Sequence, residues 1–394
     1  MGILFFLLIL SAVVAIHEFG HFIVARMCGV HVEVFSIGMG PKLLKWTDKK
    51  GTLWCLSALP IGGYVKMLGH GTKTPITEEN KQMAYTSKNV YQRMAIVVAG
   101  PMINFISAML MFAALSFAAG NVTKHDYQVT KVVAESPAGS AGIMPGDILY
   151  KVNGRIVDEA PDIVKGLISK SFDRTTITVK RDKKELVLNL SPMVIKNGQL
   201  PKLGVHIRRI NARKVEYNLP RAMSSGVEQT LDIIGMSYNG LARLVGGDVP
   251  VNQLRSIIGM GDDVNTGYDQ TTTQVEAENQ RRVAEAVAKA EAKGTNVEAA
   301  KENVDRVSLA KERIISFFNI CAFLSVAIGF MNLLPILPLD GGHLVTYIYE
   351  ALTGKKLPDP VMNIYALMGL VLVLGLMLFT MTNDIMRIVE RFVS

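Results

Sequence analysis

Residues 2–25 read GILFFLLILSAVVAIHEFGHFIVA, an apolar stretch that carries a short polar group near its end. Its length meets the requirement of about 20 apolar residues for a helix that crosses a bilayer. Positions i and i+4 share one face of a helix, so His17 and His21 can bind one metal ion. Glu18 lies beside them, where it can take a proton from water activated by that metal. Ionisable side chains are costly inside lipid, so this group predicts a functional site within the membrane.

Three more stretches have the same apolar character. No Lys, Arg, Asp or Glu occurs, apart from Glu18, in residues 2–25, 94–123, 314–339 and 360–383. Hydrophobic residues make up 49% of the 394 residues and charged residues only 19%. The pattern predicts four transmembrane helices, each shorter than its uncharged window.

The charges of the loops predict the orientation. Residues 26–93 contain ten Lys or Arg against four Asp or Glu, which is typical of a cytoplasmic loop. Residues 120–313 then lie outside, and the metal motif lies nearer the cytoplasmic face. The cysteines are at positions 28, 55 and 321, so no disulfide is expected in the external region. The net charge of +8 is partly this loop bias, and without a basic-aromatic stripe it predicts no nucleic-acid partner.

The third apolar stretch ends in NLLPILPLDGGH, residues 332–343. Its two prolines should interrupt the helix, and irregular backbone at membrane depth is tolerated only where it is buried in protein or lines a wet cavity. Asp340 would then face that cavity as a third ligand, since catalytic zinc takes three protein ligands and leaves one position for water. The alternative for Asp340 is an ordinary helix-end aspartate at the interface. His343 could also be a ligand, although its place after two glycines suits an interfacial or supporting role better.

The HExxH motif and the NxxPxxxLDG motif together resemble the site-2 protease family of intramembrane zinc proteases. The segments GPMINF (100–105), FSIGMGP (35–41) and PIGGYVKM (60–67) resemble its bacterial regulator-of-sigma-E protease branch more closely. The resemblance covers most of residues 1–250 and 314–394. It implies a Zn²⁺ cofactor with ligands His17, His21 and Asp340, Glu18 as general base, and substrate contacts at Asn332, Asn104, Gly62 and Gly63.

Two further regions have readable patterns. Residues 31–36 and 52–59 alternate in part and predict strands, which the resemblance places at the cytoplasmic membrane surface. An open edge there could hold an unwound substrate by strand addition, or the strands could form a purely structural sheet. Residues 127–156 resemble the start of a PDZ domain, and residues 175–181 and 185–190 predict a strand pair completing it. That domain could bind peptide ends or only block access by its bulk.

The sequence therefore predicts a multi-pass α-helical membrane protein with a membrane-associated β-sheet and an extracytoplasmic PDZ-like α+β domain. The expected domains are a membrane core with the zinc motif and strands (residues 1–124), a PDZ-like domain (125–197), a membrane-surface helical region (198–260), a polar helical insertion (261–312) and a second membrane core with the aspartate ligand (313–394). The insertion holds eleven acidic and seven basic residues, and a capping box at 295–298 predicts the start of its second helix. It is expected to be a solvated insertion rather than a partner site.

The expected activity is that of a zinc endopeptidase in the bacterial inner membrane. By resemblance, its substrates are single-span membrane proteins in the lipid bilayer, trimmed outside beforehand, such as anti-sigma factors or signal-peptide remnants in regulated intramembrane proteolysis. The active site is expected toward the cytoplasm and the PDZ-like domain in the periplasm. Two alternatives remain: a catalytically silent PDZ scaffold, which needs no zinc site, and a metal transporter, for which the ion is cargo.

Overall fold

The structure is a computed structural model that describes residues 2–70, 74–133, 136–152, 155–157, 175–182, 184–190, 203–246 and 297–393, with isolated positions between 283 and 287. The chain divides into two compact units. Residues 1–118 and 219–394 form the first, which we call the membrane unit, and residues 119–218 form the second unit. Most of the predicted insertion, residues 261–296, lies outside the described residues.

Long apolar helices build the membrane unit. Its described helices are α1 (Gly2–Met27), α2 (Val90–Ala119), α4 (Leu219–Val245), α5 (Val297–Asn332), α6 (Asp340–Thr353) and α7 (Asp359–Val393). Within the described residues, four segments are long and apolar enough to cross a membrane, at Phe6–Met27, Val90–Ala118, Ile314–Asn332 and Asp359–Thr382. These segments match the four uncharged windows of the sequence and confirm the prediction of four such helices.

A small sheet follows α1 and packs against it. Strands β1 (Val32–Thr47) and β2 (Leu53–Met67) are longer than the sequence predicted, and both change register along their length. Phe35 pairs with Val65 near the end of β2 and with Trp54 near its beginning. The end of β2 therefore has a single partner in this sheet, on one side only. Its other side faces α1, which carries the metal motif.

Several polar backbone groups in the link between α5 and α6 have partners. The helix ends at Asn332, as the prolines at 335 and 338 predicted, and the next helix begins at Asp340. The hydroxyl of Tyr365 on α7 donates to the carbonyl of Pro335 at 2.8 Å. Short backbone bonds within residues 330–342 bind further groups of the turn. The interruption is thus tolerated because the neighbouring helix and the turn itself replace the lost helical hydrogen bonds.

The second unit is a twisted sheet with a short helix. Its strands are β3 (Asn121–Val132), β4 (Ile148–Val152), β5 (Arg155–Ile156), β6 (Thr175–Arg181), β7 (Lys184–Leu190) and β8 (Val205–Glu216), with α3 at Pro137–Ser140. The strands run in the order β7, β6, β4, β3, β8, and β5 pairs with β4. The predicted pair at 175–181 and 185–190 is confirmed as β6 and β7.

Two expected boundaries do not coincide with breaks in the structure. Residues 205–216 were assigned to a helical region, but they form β8 because Val205 and Ile207 pack on the buried core of the sheet. The second unit therefore extends to both sides of 125–197. The described part of α5 starts at Val297, and it continues without a break into the third apolar segment. The predicted boundary at 312 and 313 thus lies inside a single helix.

An ion pair holds the loop between α3 and β4 to the sheet of the second unit. Asp147 is 1% exposed, and its two oxygens accept bonds from Nε and Nη2 of Arg181 at 2.7 and 2.8 Å. The N–H of Met144 donates to the same carboxylate at 2.9 Å. Burial opposes ionisation, but the guanidinium and this amide hold the pKa of Asp147 below its usual range. Such a pair stabilises the fold while the carboxylate is ionised.

Replacing Asp147 with Asn should reduce the stability of the second unit by about 2 kcal/mol, because Arg181 loses a charged, two-point partner. Hydrogen exchange of the β4 and β6 amides in the full-length protein measures this. The folded carboxylate has the lowered pKa, so the stabilisation is present above about pH 4 and fades as the pH falls further.

Glu185→Gln is the matched control. Glu185 Oε2 lies 3.7 Å from Lys151 Nζ, and these side chains are 48% and 32% exposed. Its loss should change stability by less than about 1 kcal/mol. Equal acceleration of exchange in both variants would contradict the role given to Asp147.

Candidate active site

The three predicted metal ligands meet in the membrane unit. His17 and His21 lie one turn apart on α1, are 6% and 7% exposed, and direct their Nε2 atoms to one point. Asp340, the first residue of α6, brings its Oδ2 atom within 3.0 Å of His17 Nε2 and 3.4 Å of His21 Nε2. The two Nε2 atoms are 3.2 Å apart. Two helices that are distant in sequence therefore present three ligand atoms to the same small volume.

The donor set fits zinc. Ligand atoms about 2.0–2.1 Å from a tetrahedral zinc ion stand about 3.3 Å from one another, which is close to the three separations found here. Asp340 Oδ2 is buried and has no hydrogen-bond partner within the described residues. Three converging lone pairs repel one another unless a cation lies between them. Two imidazoles and a carboxylate are also the ligand types of catalytic zinc sites.

The α2 backbone sets the ring of His21. His21 Nδ1 lies 2.8 Å from the carbonyl oxygen of Ile96, which can only accept a hydrogen bond. Nδ1 therefore carries the proton, and the lone pair of Nε2 is left for the metal. This outer contact orients the ligand and raises its basicity.

Asn104 has a comparable position beside His17. It is fully buried, and its Nδ2 atom lies 3.4 Å from His17 Nδ1, while its Oδ1 has no partner within the described residues. A metal at Nε2 requires a proton on Nδ1, so the amide with N and O exchanged lets the Asn104 oxygen accept a hydrogen bond from His17. The resemblance implied a substrate contact for Asn104. Its observed contact is with His17, where it can orient that ligand, and the substrate contact stays a prediction.

Gly100 makes space for both histidines, a role that sequence reasoning missed. A Cβ atom at this position would lie 2.4 Å from His21 Nε2 and 2.8 Å from His17 Cε1. Only glycine lets α2 approach the imidazoles this closely. The signal was present in the Gly-Pro-x-x-Asn-Phe segment, but the requirement depends on a contact between helices that the sequence does not display.

Glu18 connects the metal site to the sheet. Its Oε2 accepts a hydrogen bond of 3.0 Å from the N–H of Val65 on β2. Gly63 lies nearby, since a Cβ atom there would be 3.8 Å from Glu18 Cγ. The predicted general base thus lies between the metal ligands and the side of β2 that β1 does not occupy.

A cavity of about 370 Å³ adjoins the three ligands and Glu18. Asn332, one of the predicted substrate contacts, lines it, and so does His343. Gly62 and Gly63 do not line this cavity but lie on the neighbouring strand. His70 and Tyr85 also line it, although no sequence motif marks either residue.

Comparison with known proteins identifies the family. The profile described as Peptidase family M50 matches residues 5–376. The chain belongs to this family of site-2 proteases. It is 33% identical to Metalloprotease MmpA of Caulobacter vibrioides, over 97% of this chain and 94% of that protein.

Two further relatives have names that give zinc metalloprotease as a predicted activity. The protein from Mesorhizobium japonicum is 32% identical over 96% of this chain and 97% of its own length. The protein from Rickettsia conorii is 31% identical over 98% of this chain and 99% of its own length. Together with the family match and the apolar helices, they identify a bacterial membrane metalloprotease with zinc as cofactor. A silent scaffold and a metal transporter are thereby set aside.

Replacing Glu18 with Gln should leave zinc bound, because the three ligands remain, and lower the rate of proteolysis by about 10²–10⁴-fold, because the base is lost. Asp340→Asn should lose zinc in addition to activity, since a neutral amide is a poorer ligand. Metal analysis and cleavage of a model substrate by purified protein in detergent measure both effects. Full activity in Glu18→Gln would refute the assignment of the base.

Proposed function

We propose that this protease is an endopeptidase that cleaves transmembrane segments of single-span membrane proteins in regulated intramembrane proteolysis. His17, His21 and Asp340 would hold the zinc ion, which when bound activates water and polarises the scissile carbonyl. Glu18 takes the proton from the attacking water and passes it to the leaving amine. The resemblance to the regulator-of-sigma-E protease branch supports substrates such as anti-sigma factors or signal-peptide remnants.

One observation supports a membrane-embedded substrate above all: Glu18 lines the cavity beside the metal ligands and also bonds to strand β2. A transmembrane helix hides its peptide bonds in its own hydrogen bonds, so it must unwind before it can be cleaved. The N–H of Val65 points away from β1, because it donates to Glu18. An unwound segment that pairs along Gly62 and Gly63 would therefore bring its peptide bonds beside the base. Asn332, which lines the cavity, is suited to binding the substrate backbone as well.

The second unit is proposed as a PDZ-like domain on the periplasmic side of the inner membrane, with the active site toward the cytoplasm. The charge bias of the loops supports this orientation. A domain across the membrane from the zinc cannot touch the scissile bond, so it would select substrates rather than take part in the chemistry. A substrate with a bulky external domain would be excluded, and one trimmed beforehand would be admitted.

Cysteines introduced at Lys49 and Lys184 test the orientation, after the three native cysteines are replaced. Both positions are exposed and lie in the two regions that the charge bias assigns to opposite sides. An impermeant maleimide added to intact spheroplasts should label the cysteine at 184 and leave that at 49 unlabelled until the membrane is opened. Labelling of both from outside would refute the proposed topology.

Removal of the second unit tests the selection of substrates. The deletion should cover residues 121–216, because removing only 127–197 would take away the half of β3 that pairs with residues 205–209 of β8. A Gly/Ser bridge then joins α2 to α4. The deletion enzyme should cleave a substrate with a long external domain, which the intact enzyme rejects, and should cleave the trimmed substrate at a similar rate.

The comparison needs equal amounts of zinc-loaded enzyme and two substrates that differ only in external length. Continued rejection of the long substrate would contradict exclusion by bulk. Loss of the trimmed substrate would instead favour docking of its new carboxyl end in the second unit.

A further inference from the structure

Helix α6 presents one polar face along its whole length. At 100° per residue, Asp340, His343, Tyr347 and Glu350 lie within an arc of about 80°. We call these four residues the α6 stripe. All are partly buried, whereas Val345, Ile348 and Leu352 on the other faces are exposed. The face that begins with a metal ligand therefore packs against the rest of the unit, together with the buried residues Gly341, Gly342 and Thr346.

The C-terminal half of the α6 stripe, Tyr347 and Glu350, is held by two polar contacts. Arg93 Nη2 donates to Glu350 Oε1 at 2.7 Å, and these side chains are only 9% and 17% exposed. The hydroxyls of Tyr85 and Tyr347 are 2.9 Å apart. The guanidinium of Arg93 also lies 4.9 Å from the ring centre of Tyr347, which adds a cation–π contact. Arg93 on α2 therefore contacts both Tyr347 and Glu350.

The same turn of α2 holds a metal ligand from the other helix. Ile96, three residues after Arg93, accepts the hydrogen bond from His21 Nδ1. Residues i and i+3 share a helix face. The first turns of α2 thus fix His21 through a backbone carbonyl and fix α6 through Arg93. A rotation or slide of α6 would move Asp340 away from the two histidines.

We propose that Arg93 and Glu350, together with the Tyr85–Tyr347 pair, are positioning residues of the metal centre. They touch no ligand atom and act through the orientation of α6, which sets the distance from Asp340 to His17 and His21. The proposal concerns metal binding and does not depend on which proteins the enzyme cleaves.

The test compares Glu350→Gln, which keeps the shape of the side chain and removes its charge, with the unaltered full-length protein in detergent. Transfer of zinc to a chelator should be about tenfold faster in the variant, the lower range found for outer partners of metal ligands. The visible absorption of the cobalt-substituted protein should also change, because that spectrum reports ligand geometry. Neither readout requires proteolysis.

Asp48→Asn is the matched control. Asp48 pairs with Arg26 in the same unit and accepts a bond of 3.1 Å from Trp54, but it does not contact α6. Its loss should leave zinc transfer and the cobalt spectrum unchanged. Tyr347→Phe keeps the ring against Arg93 and loses only the hydroxyl, so it should accelerate zinc transfer by about threefold.

Unchanged zinc transfer and an unchanged cobalt spectrum in folded Glu350→Gln would overturn the proposal. Equal changes in Asp48→Asn would overturn it too, because they would show a general loosening of the membrane unit. If Glu350→Gln does not fold, Tyr347→Phe decides by the same two measurements. Loss of proteolysis in Glu350→Gln with normal metal binding would also count against positioning of the metal.

Discussion

The requirement that polar groups buried among apolar helices find partners governs the membrane unit. Two imidazoles and two carboxylates stand where lipid offers no hydrogen bonds. His21 is satisfied by the Ile96 carbonyl, His17 by Asn104 and Glu18 by the Val65 amide. These partners lie on α2 and β2, and α6 supplies the third ligand, Asp340, so the site exists only when all three elements are in place. The chemistry of the site and the packing of the unit are therefore one arrangement.

Much of this arrangement could be predicted from local patterns in the sequence. The uncharged windows located the membrane helices because length and hydrophobicity are properties of a single segment. The spacing of His17 and His21 follows from the helix period, and the prolines before Asp340 marked the end of α5. The alternation at 175–190 defined a hairpin because both strands and their turn lie together in the sequence.

Other features depend on contacts between distant segments, and no local pattern shows them. Residues 205–216 pair with β3, more than 70 positions earlier, so their strand structure depends on a partner that the segment itself does not specify. The need for glycine at position 100 arises only when α1 lies against α2. The contact of Asn104 with His17 likewise depends on the packing of α2 against α1, which the motif around Asn104 does not display.

The continuity of α5 has a mechanical consequence. Its 36 residues extend about 54 Å at 1.5 Å per residue, while its apolar part, Ile314–Asn332, accounts for about 28 Å, close to the thickness of a bilayer core. The remaining 17 residues, 297–313, form a helical arm of about 25 Å beyond the apolar segment. No hinge separates this arm from Asn332 at the cavity. A force applied to the arm would be transmitted along one continuous helix to the turn that precedes Asp340.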